Sequence, residues 1–338
     1  MTGKMPKIAV LIPVYNTERY LPMCLDSVIG QTYARFEVLC LNDGSTDKSP
    51  EILEQYAARD KRFRIFSQPN AGVTAALNAL LDKVPGDTDY IFYLDSDDFI
   101  HPRAFECLLH HMRRRRPDVV ECATARVGHD AAPHAFPDIR IPHPGCVSVD
   151  DMDVFFSRRT RVGAWINKVN KLYDWRRVKS VRFRTELLYE EDYFYACEIN
   201  AVIRRKVIVP DVLYFYRRNP ASLNGRLNFP KYLASGINRI RLSHEVFVKT
   251  GRIPPEYRSD FKADLARDAY RMIVKKNLKK NKNDAECRAL FHRAADAVDA
   301  LTRQGIVSFA TLPFSQRLVV RLCRRRMYRL AKIAARLP

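Results

Sequence analysis

Unbroken apolar runs and helical stripes alternate along the first hundred residues. Lys7 to Val14 (KIAVLIPV) carries no polar residue after its first position, the mark of a strand buried on both faces, as in a parallel sheet. Tyr20, Leu21, Cys24, Leu25, Val28 and Ile29 then recur at helical spacing behind Thr17, a residue able to cap a helix. Phe36 to Leu41 reads as a second strand. It runs into Asn42-Asp43-Gly44-Ser45-Thr46-Asp47, and Pro50 sits where proline is tolerated, in the first turn of a helix reaching to about Arg59. A short strand at 63–66, a helix over 72–84 and an aromatic strand over 90–94 complete the series, the last behind the turn residues Pro85, Gly86 and Asp87. This alternation predicts βαβ units with right-handed crossovers and a parallel sheet.

Beyond Pro102 a helix carries Phe105, Leu108, Leu109 and Met112 and ends in Arg113 to Arg116 before Pro117. Arginines there complement the helix dipole and read first as a solvated face. Asp118 to Cys122 is a further strand, 128–149 a loop or an unassigned strand pair, 189–203 a helix opened by Glu190, Glu191 and Asp192, and 207–216 another strand. His129, His134, His143 and Cys146 match no zinc-ligand spacing. From Phe229 onward the pattern is helical and rich in Lys and Arg. In the last segment, 317–337, basic residues gather on one face and apolar ones on the other with no acid between, as expected of a helix lying in an anionic membrane interface. The alternative is a helix docked on its own domain or on a second copy in a homodimer.

Chemistry concentrates where the strands end. Tyr15 and Asn16 follow the first, Asn42-Asp43-Gly44 the second, and Asp95, Ser96, Asp97 and Asp98 the strand over 90–94. All would line one sheet edge, the edge at which open α/β sheets bind ligands. Clustered carboxylates repel unless a divalent cation or a polar ligand satisfies them, and hard oxygen donors suit Mg²⁺ or Mn²⁺. The plainer readings are an Asx-turn at Asp43 and a helix start at Asp95 to Asp98. No G-x-G-x-x-G and no P-loop follows any strand, which disfavours a dinucleotide fold or a P-loop nucleotidase.

The segments IPVYN at 12–16, SVIGQTYARFEVLCLNDGSTD at 27–47, NAGVTAALNALL at 70–81 and LDSDD at 94–98 together resemble the family 2 glycosyltransferases, inverting, nucleotide-sugar-dependent enzymes of the GT-A fold. The resemblance implies a Rossmann-like α/β architecture, a mostly parallel sheet flanked by helices, with a C-terminal helical extension. It implies a donor half at 5–117, an acceptor-side half at 118–228, and a basic helical region at 229–338 with its amphipathic tail. In that reading Pro13, Tyr15, Asn16, Glu18, Asp43, Asp95 and Ser96 bind the donor. Tyr15 lies against the base, and Asp43 accepts from a uracil N–H. Asp97 with Asp98 holds Mn²⁺ or Mg²⁺ between the donor phosphates. Leu77 stands where the family often has Arg, so Arg217 or Arg218, in a loop similar to the family's Y-R-x-x-x-x-S, would supply the missing charge. AWINKVNKLYDWRRVKSVRF at 164–183 resembles the acceptor-side pattern, with Trp165 as a platform for a sugar ring. Asp192 would be the general base, positioned by Glu191.

Composition adds one constraint. The 338 residues carry a net charge of +20, with a pI near 9.7, which points to an anionic partner: a nucleotide, a nucleic acid or an acidic lipid surface. No RRM-, KH- or zinc-finger-like motif supports nucleic acid. Eight cysteines without a CxxC pair suit buried thiols, and no stretch reads as an export or spanning segment. A cytoplasmic protein is therefore expected, peripheral on the inner face of the cell membrane if the tail binds lipid. The function expected is transfer of a sugar from a UDP-sugar to a saccharide or lipid-linked acceptor in surface polysaccharide or glycan assembly. Its rivals are a sugar nucleotidyltransferase and a basic nucleic-acid- or membrane-binding protein built on an inactive glycosyltransferase fold.

Overall fold

The unbroken apolar runs become the inner strands of one sheet. The computed structural model describes residues 5–131, 136–139, 141, 145–150, 167–185, 191–219, 237, 240, 241, 244, 245, 266, 267, 270, 284–325, 327 and 331. These divide between two compact units, one comprising Met1–Phe155, Arg159–Thr185 and Glu198–Arg226, the other Phe156–Arg158, Glu186–Cys197 and Leu227–Pro338. In the first unit the strands are β1 (Ile8–Val14), β2 (Phe36–Asp43), β3 (Phe63–Gln68), β4 (Tyr90–Tyr93), β5 (Phe99–Ile100), β6 (Val119–Val127), β7 (Val147–Asp150), β8 (Lys171–Asp174) and β9 (Arg205–Arg217). The described residues form a nine-stranded sheet in the order β3-β2-β1-β4-β8-β6-β9-β5, with β7 beside β9.

From β3 to β4 the pairing is parallel, with Ile8 opposite both Phe36 and Tyr90. Beyond β4 the sheet is mixed, because β8 enters antiparallel to both β4 and β6. The periodic stripes fold as α1 (Leu21–Ile29), α2 (Ser49–Arg59), α3 (Val73–Asp82) and α4 (Ala104–Arg115), and a single turn, α5 (Trp175–Val178), follows β8. α3 packs on β1 and β2, and α4 on β6 and β9. Ile8 to Ile12 are wholly buried, as are Val38 to Cys40, which is why these runs contain no polar residue. Thr17 does not cap α1 with its side chain. Its carbonyl accepts from the Tyr20 and Leu21 N–H groups, and its hydroxyl donates to Ser96 Oγ at 3.1 Å. Cys24, Cys40, Cys107, Cys122, Cys146 and Cys323 are unbridged thiols.

Helix α6 (Glu191–Val202) begins in the second unit, which also holds α7 (Asp284–Arg303) and α8 (Phe314–Arg324). Phe291, Ala294, Ala295, Val298 and Leu301 form the buried stripe of α7, at the i, i+3, i+4 spacing of an amphipathic helix. In the tail, α8 contributes Val319, Val320 and Cys323 to the interior and pairs Arg324 with Asp299 of α7. The first part of the amphipathic segment is thus docked on the chain itself, while Met327 is exposed and Leu330, Ile333, Ala334 and Leu337 lie outside the described residues. An amphipathic wheel looks the same for a docked and a membrane-bound helix. No helix among the described residues is long and apolar enough to cross a membrane.

Candidate active site

Parallel β2, β1 and β4 end side by side. With strands spaced about 4.8 Å apart, their carboxyl ends make a floor about 10 Å across, carrying Asp43 at one side, Tyr15 and Asn16 in the middle, and Asp95 to Asp98 at the other. Short polar links fix the loops. The Asn16 N–H donates to Ser45 Oγ at 3.0 Å, and Asn16 Oδ1 accepts from Thr46 N at 2.8 Å, with Asn16 at a φ of 51°, a left-handed conformation that Asn tolerates. Glu18 Oε2 accepts from Lys48 N and the Glu18 N–H donates to Asp47 Oδ2, so this carboxylate, expected at the donor, holds the start of α2. Ser96 is buried under the Thr17 hydroxyl, and Pro13 is half-buried at the end of β1. Tyr15, 49% exposed, leaves a large ring open to solvent.

Asp43 is almost fully buried. Its Oδ1 accepts from Gln68 Nε2 (2.7 Å) and Ala71 N (3.0 Å), and its Oδ2 from Gly72 N (2.9 Å), which draws the loop after β3 across the end of β2. A carboxylate has about four acceptor positions, so one on Oδ2 remains. The crossing loop explains Gly44: its φ is +70°, and a Cβ there would lie 2.7 Å from Asn70 N.

The acids after β4 divide by environment. Asp95 Oδ1 pairs with Lys168 Nζ at 2.9 Å, the lysine side chain only 4% exposed. Asp97 is half-buried, with Oδ2 accepting from Asn219 Nδ2 at 3.0 Å. Burial and the neighbouring Asp95 charge hold its carboxyl above the usual range. Asp98 is 1% exposed, and its two oxygens accept from the Tyr214 hydroxyl (2.6 Å) and the Arg217 N–H (2.7 Å). Burial, then Asp97 and Asp95, push it well above the ordinary carboxylate range. The residue expected to share a cation with Asp97 thus ties the acidic loop to β9. Replacing Asp98 by Ala should lower stability by about 2–4 kcal/mol, because two buried donors lose their acceptor. Asn, which keeps one acceptor, should fall between, and chemical denaturation at neutral pH reads both.

Of the two arginines expected at the donor phosphates, Arg217 is instead built into the fold. It is 3% exposed; Nε donates to Asp97 O, one terminal nitrogen donates to His129 O and Ala131 O at 2.8 Å, and the guanidinium lies over the Tyr20 and Phe99 rings. Strand β9 runs on to Arg217, so a position that reads as a loop is the inner end of a strand. Arg218 next to it is exposed, anchored by its N–H to Val127 O. Leu77 is completely buried in α3. Glu191 and Asp192 form the half-buried first turn of α6, in the second unit. Trp165 and Ser222 lie outside the described residues.

Two contributors are absent from the sequence reading, Lys168 and Asn219. Nothing in the apolar pattern marks them. The signal was charge balance, since three acids in four positions call for a nearby cation. Hard oxygen donors and the raised Asp97 carboxyl fit a divalent cation, whose charge would offset the repulsion from Asp95. Among the described residues no three His, Cys, Asp or Glu side chains converge as a ready-made ligand set. Such a site would therefore draw on one or two protein oxygens, with phosphates and water completing the shell.

A profile described as glycosyl transferase family 2 matches residues 9–208. EpsH of Bacillus subtilis (strain 168), a protein named for glycosyltransferase activity, is 30% identical over 259 residues, covering 75% of this chain and 73% of the relative. Among solved structures, S. aureus TarS 1–349 in complex with UDP-GlcNAc aligns with a TM-score of 0.71 at 18% identity, covering 97% of this chain and 90% of that one. The mannosyltransferase PcManGT of Pyrobaculum calidifontis, in complex with GDP-Man and Mn²⁺, aligns with a TM-score of 0.50 at 18% identity, covering 98% and 86%. At these identities the two structures speak for the fold.

Proposed function

This chain belongs to glycosyl transferase family 2 and is a glycosyltransferase with a GT-A fold, and on that footing we propose that it transfers a sugar from a UDP-sugar to a hydroxyl of a saccharide or lipid-linked acceptor, with inversion. The observation that carries the donor half is Asp97, half-buried beside Asp95 at the carboxyl end of β4 with its carboxyl pushed upward. A cation-bound diphosphate is the ligand that such a pair favours. TarS binds UDP-GlcNAc and PcManGT binds GDP-Man with Mn²⁺, which supports a nucleotide-sugar and a divalent metal on this fold.

Each residue then has a task. Tyr15 offers its ring to the base. The remaining acceptor position of Asp43 suits the N3–H of uracil and rejects cytosine, whose N3 is itself an acceptor. Asp97 supplies an oxygen to Mn²⁺ or Mg²⁺. When bound, the cation stabilises negative charge on the departing nucleoside diphosphate. Lys168 orients Asp95 through its ion pair. Arg218, exposed at the end of β9, lends positive charge to the phosphates in place of Leu77. Asp192 takes the acceptor hydroxyl's proton as that oxygen bonds to the anomeric carbon and the bond to the diphosphate breaks; Glu191 orients it.

Calorimetric titration with UDP, GDP, CDP and dTDP, each with and without Mn²⁺, tests the donor assignment. Metal-dependent binding of UDP above the others is the expected result, followed by UDP release from a UDP-sugar in the presence of acceptor. Binding of none, or turnover of a nucleoside triphosphate with release of pyrophosphate, would overturn it.

A further inference from the structure

A charged cavity lies at the end of the sheet opposite Asp95 to Asp98. It measures about 840 Å³ and includes Tyr90, the first residue of β4, in its wall, so the length of β4 separates it from the acids at 95–98. Four guanidinium groups, of Arg113, Arg116, Arg176 and Arg177, line it together with the carboxylates of Asp118 and Asp174. Both acids are buried and engaged. Asp118 Oδ1 pairs with Arg177 Nε at 3.0 Å, and its Oδ2 accepts from the Arg204 and Arg205 N–H groups. Asp174 pairs with Arg176 at 3.0 Å. Arg113 and Arg116 are exposed, and no carboxylate among the described residues is paired with either. The lining therefore holds a surplus of two positive charges.

Helix α4 ends here, but its dipole amounts to roughly half a charge, too little to explain four arginines drawn from two elements. The backbone supplies a second sign. Arg116 adopts φ 48° and ψ 47°, the left-handed conformation in which a helix end usually carries glycine, directly before Pro117. A guanidinium is kept where glycine would fit with less strain.

We propose that this cavity is a binding site for a phosphate group, independent of the donor site, with Arg113 and Arg116 as its primary contacts and Arg176 and Arg177 held in place by Asp174 and Asp118. The planar fork of arginine matches phosphate oxygens in pairs, and a surplus of two charges matches a phosphate near neutral pH, which carries about −1.5 to −2 as a monoester. The group can arrive on a lipid headgroup or on a free soluble anion.

The test compares the full chain with an Arg113→Gln/Arg116→Gly variant. Glycine at 116 relieves the left-handed strain, so the variant should fold at least as well, and its UDP binding should equal that of the parent. Inorganic phosphate is titrated calorimetrically, and vesicles of phosphatidic acid, whose headgroup is a phosphate monoester, in phosphatidylcholine are used in co-sedimentation. The parent should bind at least one probe, and the variant should bind it about tenfold more weakly or less. Vesicle capture without affinity for inorganic phosphate identifies the headgroup as the source, and phosphate binding without capture identifies a soluble anion. Failure of the parent to bind either probe, or equal binding by the variant, would overturn the proposal whatever the outcome at the donor site.

Discussion

Asp192→Asn should lower the transfer rate by about 10²- to 10⁴-fold, the usual worth of a positioned general base, while leaving nucleotide binding unchanged. Asn has nearly the same shape, cannot accept the acceptor's proton, and still places a polar group in the first turn of α6. The lost charge at that helix start is worth about 0.3–1 kcal/mol, so the variant should remain folded, and a circular dichroism melt verifies it. Glu191→Gln should reduce the rate far less, since that residue is assigned to orientation. Steady-state transfer and UDP titration on the same preparations separate the two steps. Full transfer by the Asn variant would remove Asp192 from the mechanism without touching the donor assignment.

Asp97→Ala should abolish the metal dependence of UDP binding, a loss of about a hundredfold or more, given that even outer-shell changes cost 10- to 100-fold. The same substitution should leave the metal-free protein as stable as before or slightly more so. Burial and Asp95 both disfavour the charged form of Asp97, so deleting it removes repulsion beside Asp95 at the expense of one acceptor for Asn219. A melting experiment thus reads in two directions. Saturating UDP and Mn²⁺, at about a hundred times the parent's dissociation constant, should add about 2.7 kcal/mol to the parent and about 0.4 kcal/mol or less to the variant. A variant that melts early without ligand would reveal a structural role in place of a ligand-binding one.

The inner strands β2, β1 and β4 were legible because they are largely buried on both faces and almost wholly apolar up to their carboxyl ends, whereas the edge strand β3 fully buries only Phe63 and was marked by its place in the alternation. Their order of strand, helix and strand leaves one handed arrangement. The other half follows no such rule. β8 is four residues long and opens with a buried lysine, Lys171, whose ammonium donates to the Asn167 and Val169 carbonyls and to the Asn170 side chain. β5 has two residues and takes its existence from its pairing with Tyr214 and Phe215 of β9. Neither carries a period to read. Side-chain roles were hidden for the same reason: Asp98 and Arg217 look like exposed functional polar residues, and both are buried because β9 passes beneath the acidic loop. Glu18 was obscured by a partner distant in sequence, the N–H of Lys48, 30 positions away.

The antiparallel entry of β8 beside β4 also sets an order of events during synthesis. β4 is complete at Tyr93, but the strand that covers its outer edge ends at Asp174. Roughly 80 residues must be added in between, which at ribosomal rates of about 5–20 residues per second leaves that edge open for about 4–16 s. Tyr90 to Phe92 is aromatic and apolar, the composition most prone to pair with another nascent chain. The early parallel strands of this enzyme therefore emerge needing protection, and slowing translation between 94 and 174 should lengthen their exposure and lower the soluble yield.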